Sequence, residues 1–465
     1  MSVSSTDPTF YRTPGEAAAA APEQLAYVAA FSRGEGDRPD ALTVVDVDKS
    51  SADFGQVVGW LDMPNAGDEL HHFGWNACSS ALCHTGHDAA QMERRYLLVP
   101  GIRSSRINVI DTKPDPRRPN LVKVVDADEL AKAAGYSRPH TLHCGPDGLY
   151  LSALGSADGD GPGGIAMLDH DSFAVVGQWE VDRGPQWLAY DFWWHLNQGV
   201  MVTSEWGTPG MIEDGIVPEL LLGRKYGHAI HIWDLHERRH LQTLDLGDNY
   251  QMTLELRPAH DPAKAFGFVG VVVNVEDLSA SIWAWHRDGD QWGITKVIEI
   301  PAEPADASAL PPLLQSFGAV PPLVTDIDLS VDDRHLYVSC WGTGEMRQYD
   351  VSDPLSPALT GSVRIGGIAG RTPHPASDAP LSGGPQMVEV SRDGRRVYFT
   401  NSLYGAWDDQ FYPDGVGSWM AKLDVDPGGG ITFDPDFFVT DFRGLRVHQV
   451  RLQGGDASSD SYCYS

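Results

Sequence analysis

The amino-acid sequence predicts an all-β protein, a seven-bladed β-propeller that is closed by strands from both termini. The main observation is a β-hairpin pattern, two alternating runs around a polar turn, that recurs seven times at intervals of about 60 residues. A repeat of this kind decides the architecture before any local assignment is made. The seven hairpins lie at residues 41–63, 106–126, 164–181, 229–246, 281–300, 346–365 and 420–439.

A second pattern, a pair of inner strands, alternates with the hairpins. Three regular copies, each with an Asp-Gly or Asp-Asp turn between alternating apolar runs, lie at 140–154, 326–340 and 386–400. Less regular copies lie at 72–99, 186–205 and 252–273. One inner pair and the hairpin that follows it would together make one four-stranded blade.

The seventh inner pair is split between the two ends of the chain. One strand is expected from the C-terminus, at about 447–452, and three from the N-terminal part, at about 25–62. Such closure removes the open edges of a linear array. We expect a single domain over 1–465 with an extension at about 1–24, and a proline-rich loop at 301–322 packed over one face. The alternative, two separate β-sandwiches, would not need seven evenly recurring units without a linker.

The charge balance excludes some classes of partner. With 34 Lys and Arg against 64 Asp and Glu, the net charge is −30. Such a surface repels a phosphate backbone and an anionic membrane surface. We therefore expect neither nucleic-acid binding nor membrane insertion.

The cysteines and the N-terminus bear on the compartment. The five cysteines are odd in number and irregularly spaced, which argues against a disulfide framework and favours a reducing compartment. Residues Met1–Phe10 have neither the basic nor the apolar region of a signal peptide, and no apolar run reaches the length of a membrane span. A cytoplasmic protein is expected. The cysteines are Cys78, Cys83, Cys144, Cys340 and Cys463.

Histidines concentrate at the positions predicted to line the axis. The innermost strand of each propeller blade directs its first residues into the central channel. Counting back from the turn residues also places Thr325, Gln386, Asp328 and Glu389 there, and a less regular blade offers Glu255 at a similar place. Because the chain has only 17 histidines among 465 residues, their concentration at the axis favours a site for copper, zinc or iron. The candidate metal ligands are His71, His72, His140, His143 and His448.

Two details of this prediction stay open. His140 and His143 are three residues apart, so they point to opposite faces of a regular strand, and only one would face the channel unless the strand bulges or begins at Leu142. The cluster Cys78, Cys83, His84 and His87 has the composition of a zinc knuckle, but no other cysteine pair completes a structural zinc site. Cys78 matters more as a single thiol, either exposed and reactive or buried and inert.

Many longer motifs closely resemble the selenium-binding protein family, from Thr9 to Asp460. Among them are HHFGWNACSS (71–80), PGIRSSRINVID (100–111), PHTLHC (139–144), TSEWGTP (203–209), YGHAIHIWDL (226–235), GGPQMVEVS (383–391) and NSLYGAWDDQFYP (401–413). Motifs this long and this numerous make the resemblance specific.

The resemblance implies a propeller and an enzyme. Several family members are copper-dependent methanethiol oxidases, which convert methanethiol, O2 and water into formaldehyde, hydrogen sulfide and hydrogen peroxide. The family's proposed selenium-binding thiol falls on Cys78, and its copper ligands fall on the five axial histidines. In the implied mechanism the imidazoles hold copper, the thiol substrate loses a proton and coordinates the metal, and O2 accepts electrons. Glu205 or Glu389 is a candidate acceptor for that proton.

A different class of function is the alternative. The chain could be a selenium or thiol carrier, or a scaffold, that acts through Cys78 without turnover. Loss of turnover on replacing His140 would favour the oxidase, whereas loss of binding on replacing Cys78 would favour the carrier.

Overall fold

The computed structural model describes residues 7–32, 38–83, 92–145 and 147–465. Within these residues, seven antiparallel four-stranded sheets form the blades of a closed β-propeller, which confirms the predicted fold class. In blades 1 to 6 the four strands follow chain order from the axis to the rim, and blade 7 receives its innermost strand from the C-terminus.

The strands of the first blades have the following bounds. Blade 7 contains β1 (Leu25–Phe31), β2 (Pro39–Asp46) and β3 (Val57–Ala66). Blade 1 contains β4 (Gly74–Trp75), β5 (Tyr96–Pro100), β6 (Ile107–Asp111) and β7 (Asn120–Val125). Blade 2 contains β8 (Tyr136–Gly145), β9 (Gly148–Ser156), β10 (Gly164–Leu168) and β11 (Val175–Gln178). Blade 3 contains β12 (Phe192–His195), β13 (Val200–Ser204), β14 (Ala229–Asp234) and β15 (Arg239–Asp245).

The remaining strands complete the ring. Blade 4 contains β16 (Tyr250–Pro258), β17 (Phe266–Asn274), β18 (Ala280–Asp288) and β19 (Gln291–Ile300). A two-stranded sheet follows, formed by β20 (Glu303–Pro304) and β21 (Ala319–Val320). Blade 5 contains β22 (Val324–Leu329), β23 (His335–Cys340), β24 (Glu345–Asp350) and β25 (Ala358–Arg364). Blade 6 contains β26 (Val388–Val390), β27 (Arg396–Thr400), β28 (Met420–Val425) and β29 (Ile431–Val439), and β30 (Arg446–Leu452) returns to blade 7.

The helices are short and lie in the connections. They are α1 (Pro14–Ala18), α2 (Ala127–Ala134), α3 (Pro209–Ile212), α4 (Pro218–Leu222), α5 (Gly405–Phe411) and the 3-10 turns at Ser79–Leu82, Leu196–Gln198 and Ala307–Ala309. None of the helices in the described ranges has the length and apolar character needed to cross a membrane.

The seven predicted hairpins are the two outer strands of the seven blades, and the predicted inner pairs are the two inner strands. Closure by both termini is confirmed, because β30 pairs with β1 in an antiparallel ladder from Ala26↔Leu452 to Phe31↔Arg446. The strands that close the ring also share a buried apolar cluster, which includes Val28, Val450 and Leu452. Burial of this cluster joins the two ends of the chain through the hydrophobic effect.

Four inner strands contain a one-residue β-bulge near the axis. A bulge breaks the strict alternation of a strand and re-aims the side chains in it. The residues concerned are His140 and Thr141 in β8, Leu254 and Glu255 in β16, Thr325 in β22, and His448 and Gln449 in β30. The bulges therefore fall on the residues that the sequence places at the axis.

Three of the axial residues follow a non-glycine residue with left-handed backbone. The φ angle is 51° at Glu69, 59° at Arg138 and 51° at Leu323. Each of these lies two residues before an axial side chain, namely His71, His140 and Thr325. Positive φ is unfavourable for side chains of this size, so the fold holds the backbone in a costly conformation where the chain enters the channel.

Each end of the channel is covered. The proline-rich stretch packs over one face as predicted, because Leu310, Leu314 and Val320 are buried in the same cluster as Trp341 and Trp407. The C-terminal tail covers the opposite face, beyond the ends of the inner strands. There the His260 Nε2 atom lies 2.7 Å from the carbonyl oxygen of Ala457.

We expect replacement of Leu452 by alanine to weaken ring closure. Leu452 is fully buried in β30, so Leu452→Ala should lower the free energy of unfolding by about 2–5 kcal/mol through lost contacts and a cavity. Leu359→Ala is the matched control, because Leu359 lies on the outer strand β25 and is 54% exposed. The control should change stability by about 0.5 kcal/mol or less. If denaturant unfolding shows that both variants lose the same free energy of unfolding, a closing role for β30 is contradicted.

Candidate metal centre

Four buried imidazoles from three neighbouring blades meet at the axis. The ring centroids are 3.7 Å apart for His71 and His448, 4.1 Å for His72 and His140, and 4.9 Å for His71 and His140. One nitrogen from each of His71, His72 and His448 lies within 4.8 Å of the others. All four side chains are buried. Blades 7, 1 and 2 thus contribute to a single histidine cluster.

Hydrogen bonds orient these rings and leave nitrogens free to bind a ligand. The His448 Nδ1 atom is 2.8 Å from the carbonyl oxygen of Ser402, which can only accept, so Nδ1 carries the proton and Nε2 presents a lone pair. The Thr141 hydroxyl lies 2.9 Å from His140 Nδ1 and 3.4 Å from His72 Nδ1. No described residue hydrogen-bonds to Nε2 of His72, His140 or His448, or to Nδ1 of His71.

Burial keeps the cluster uncharged. It lowers the pKa of His71, His72 and His140 well below the ordinary value and that of His448 to about 3. Repulsion by neighbouring imidazoles lowers the pKa of the first three further. A neutral imidazole is the form that binds a metal ion. Neutral, buried nitrogen donors without a hydrogen-bond partner among the described residues fit copper, zinc or iron, and they do not suit magnesium or calcium, which prefer oxygen.

His143 does not join the cluster. Its ring packs against Trp193 with centroids 3.9 Å apart, and its Nε2 atom lies 3.8 Å from an oxygen of Asp191. The bulge between Pro139 and Leu142 directs His140 into the cluster, and His143 follows on the regular part of the strand. We therefore remove His143 from the candidate ligands.

The cysteines correct a second expectation. Cys78 is bonded to Cys144 and Cys83 to Cys463, so the prediction against disulfides is wrong. Cys78 is only 2% exposed and is not a free thiol, while Cys340 is buried and unpaired. Because that prediction is wrong, the number and spacing of the cysteines no longer support a reducing compartment. The zinc-knuckle partners His84 and His87 lie outside the described residues.

The two candidate proton acceptors make other contacts than with the histidine cluster. An oxygen of Glu205 is 3.0 Å from His231 Nε2, and the other accepts from the backbone N–H of His228. Glu389 forms an ion pair with Arg451 and accepts a hydrogen bond from Ser458 Oγ at 2.9 Å. Burial and the nearby Asp456 raise the pKa of Glu389. Among the described contacts, none joins either carboxyl group to the histidine cluster.

The carboxylate beside the cluster is Glu255, which the sequence places at the axis without a role. Its Oε1 atom is 3.5 Å from His72 Nε2 and accepts a hydrogen bond of 2.8 Å from the Tyr190 hydroxyl. The Tyr190 ring in turn contacts His140, with centroids 4.2 Å apart. The bulge that includes Glu255 explains its position. In the sequence, the only signal for this residue was its predicted place among the residues that line the axis.

Arg257 lies within ion-pair distance of four buried acids, one of which is Glu255. Its guanidinium lies 3.2 Å from Glu255, 3.3 Å from Asp326 and Asp328, and 3.6 Å from Asp191. Burial raises the pKa of Glu255 to about 7 and that of Asp191 to about 6, although Arg257 opposes the shift. Burial is the main cause of both shifts, and repulsion by Asp191 raises the pKa of Glu255 further.

Comparisons with known proteins agree with this architecture. The model of the family described as 56kDa selenium binding protein (SBP56) matches residues 4–463. The chain is 39% identical to a Xenopus tropicalis protein named methanethiol oxidase, with 97% of each chain covered. It is equally identical, with the same coverage, to a Mus musculus protein named selenium-binding protein 2. The solved structure of a hypothetical selenium-binding protein from Sulfolobus tokodaii shares 57% identity and a TM-score of 0.96, over 99% of this chain and 100% of that chain.

A thiol titration checks the disulfides. Protein denatured without reductant should react with about one equivalent of Ellman's reagent, from Cys340, and the reduced protein with all five thiols. The Cys340→Ser variant should show none before reduction. Three or more thiols in the unreduced wild-type protein would contradict the pairing.

A pair of histidine variants checks which imidazoles bind metal. His448→Asn should lower the affinity for Cu²⁺ or Zn²⁺ by about tenfold or more, because it removes a nitrogen of the cluster. His143→Asn, which replaces another buried histidine, should leave that affinity unchanged. Equilibrium dialysis with metal analysis gives both values. Equal losses in the two variants would argue against the histidine cluster as the site.

Proposed function

The chain belongs to the 56 kDa selenium-binding protein family, and we propose that it oxidises a small thiol with O2 at the histidine cluster, with copper as the metal. The substrate we propose is methanethiol, converted with O2 and water to formaldehyde, hydrogen sulfide and hydrogen peroxide. The observation that carries the proposal is the set of four buried, neutral imidazoles with unpaired nitrogens. Relatives named methanethiol oxidase support the choice of reaction.

His71, His72 and His448 would bind the copper ion, with His140 as the fourth nitrogen donor. Copper held by imidazoles supplies one-electron chemistry between a thiol and O2. Thr141 and Ser402 fix the rings, so that the donor nitrogens keep their directions. The protein's own contribution is a rigid donor set that needs no proton loss before it binds metal.

The surroundings of the cluster favour a small, weakly polar substrate. Tyr404 contacts His71 with ring centroids 5.9 Å apart, and Tyr190 contacts both His72 and His140. Both tyrosines belong to a buried apolar cluster that covers this face of the ring. The cover keeps bulk water away from the reaction, and a one-carbon thiol needs little space.

Glu255 is the residue to which we assign the proton that the thiol loses. Its Oε1 atom is 3.5 Å from His72 Nε2, so a thiol bound beside that ring would reach it. Tyr190 and Arg257 hold the carboxylate in this orientation. This assignment replaces Glu205 and Glu389 with a residue that contacts the cluster.

The carrier alternative loses its main support. It needs an accessible thiol, whereas Cys78 is buried and bonded to Cys144. Among the described residues, the remaining free cysteine is Cys340, for which burial raises the pKa to about 12 and disfavours the thiolate.

Oxygen uptake tests the proposal. Copper-loaded protein should consume O2 when methanethiol is added, and chelator-stripped protein should not, because the thiol and O2 need the metal to exchange electrons. Methanol in place of methanethiol should give no uptake, and His448→Asn should lose most of it, whereas His143→Asn should keep it. Equal uptake by the loaded and stripped proteins would refute the proposal.

A further inference from the structure

Two polar side chains near the axis are buried without a protein partner. Gln386 is fully buried, and none of the described residues hydrogen-bonds to its Nε2 or Oε1 atom. The Thr325 hydroxyl is also buried and lacks a partner among the described residues. Unpaired buried polar groups destabilise a folded protein, and native structures contain few of them. Their presence on two neighbouring blades, at positions that the sequence places at the axis, therefore requires an explanation.

The backbone places Thr325 across the ring from the histidines. Thr325 is the bulged residue of β22, just as His140 lies in the bulge of β8. Both follow a residue of positive φ by two positions, Leu323 and Arg138 respectively. Thr325 in blade 5 is thus the counterpart of His140 in blade 2, three blades away in a ring of seven.

Gln386 belongs to blade 6, which lies between the blade of Thr325 and the blade of His448. Its backbone N–H donates to the carbonyl oxygen of Thr400 at 2.9 Å, and the Thr400 hydroxyl donates to the carbonyl oxygen of His448. On the other side, Asp326 accepts a hydrogen bond of 2.6 Å from the backbone N–H of Val388, which ties β22 to β26. These bonds tie the segment of Gln386, which leads into β26, to the segment of Thr325 in β22.

The channel therefore has two chemically different sides. Blades 7, 1 and 2 contribute imidazoles, and blades 5 and 6 contribute an amide and a hydroxyl. An amide and a hydroxyl can both donate and accept hydrogen bonds. A thiol and O2 form weak hydrogen bonds at best, whereas water donates and accepts strongly. The unpaired groups suit a water molecule better than the other two reactants.

We propose that Gln386 and Thr325 bind and orient the water molecule that is consumed when the carbon–sulfur bond is replaced by a carbon–oxygen bond. The inference rests on the proposed function. Methanethiol gives two electrons and two protons to O2, which yields hydrogen peroxide and a thiocarbonyl compound, CH2S. The oxygen of the bound water then adds to carbon, the carbon–sulfur bond breaks, and both water hydrogens leave on sulfur as hydrogen sulfide. Formaldehyde retains the water oxygen, so atoms and electrons balance.

A matched pair of glutamine variants tests whether Gln386 has a permanent structural partner. Gln348 is also fully buried, but its amide donates to Tyr337 Oη at 3.1 Å and accepts from Thr360 Oγ1 and the Gly430 N–H. Gln348→Met should lower the unfolding midpoint, because it leaves those groups unpaired. Gln386→Met should leave the midpoint unchanged or raise it. If Gln386→Met lowers the unfolding midpoint as much as Gln348→Met does, the inference is overturned.

Product analysis tests the role in the reaction. Gln386→Met and Thr325→Val should bind copper as the wild-type protein does, with a similar KM for methanethiol. Their kcat for hydrogen sulfide release should fall by about tenfold or more, because an orienting hydrogen bond is lost. Hydrogen sulfide formed per O2 consumed should fall below the value of the wild-type protein. Variants with wild-type kcat and product ratio would overturn the inference, whereas a wild-type protein that takes up no O2 would instead refute the proposed function.

Discussion

The pairing of β30 with β1 is the interaction on which both the fold and the candidate site depend. It joins the two ends of the chain into one blade and leaves the ring without open strand edges. The same ladder carries His448, and its bulge turns that ring onto His71 at a centroid distance of 3.7 Å. Because side chains alternate along a strand, a slip of one residue would move His448 away from the axis. Closure of the ring therefore brings His448 to the histidines of blades 1 and 2.

The site concentrates several local arrangements that are unfavourable by themselves. Four imidazoles are held neutral by burial, and the chain enters the channel through left-handed residues such as Glu69 and Arg138. Nearby, Arg257 shares its charge among four buried acids, all of which have pKa values raised by burial. The surrounding ring of seven packed sheets supplies the stability that offsets these costs. The four buried imidazoles that meet at the axis are the feature that marks this region as the candidate site.

The two disulfides join cysteines that are far apart in the sequence, so cysteine spacing did not predict them. Cys83 and Cys463 are 380 residues apart, and Cys78 and Cys144 are 66 apart, so neither pair forms a recognisable local pattern. The propeller brings Cys78 and Cys144 together because they lie on the neighbouring blades 1 and 2, and it brings Cys83 and Cys463 together because the C-terminal tail returns to the first blades after the ring closes. The Cys83–Cys463 bond then ties the C-terminal tail, which covers one end of the channel, to the segment that follows blade 1's first strand.

The sequence by itself determined the number of blades, the strand pairs, the closing blade and four of the axial histidines. These features follow from alternation and turn residues, which act between neighbours and repeat in every blade. Only the tertiary structure decided that His140 and not His143 joins the cluster, because one inserted residue in β8 reverses the alternation there. Only the ring, likewise, showed that Glu255 contacts His72 while Glu205 and Glu389 serve other partners. Contacts across a channel depend on the closed arrangement of all blades. They therefore cannot be predicted from the residue pattern along a single strand.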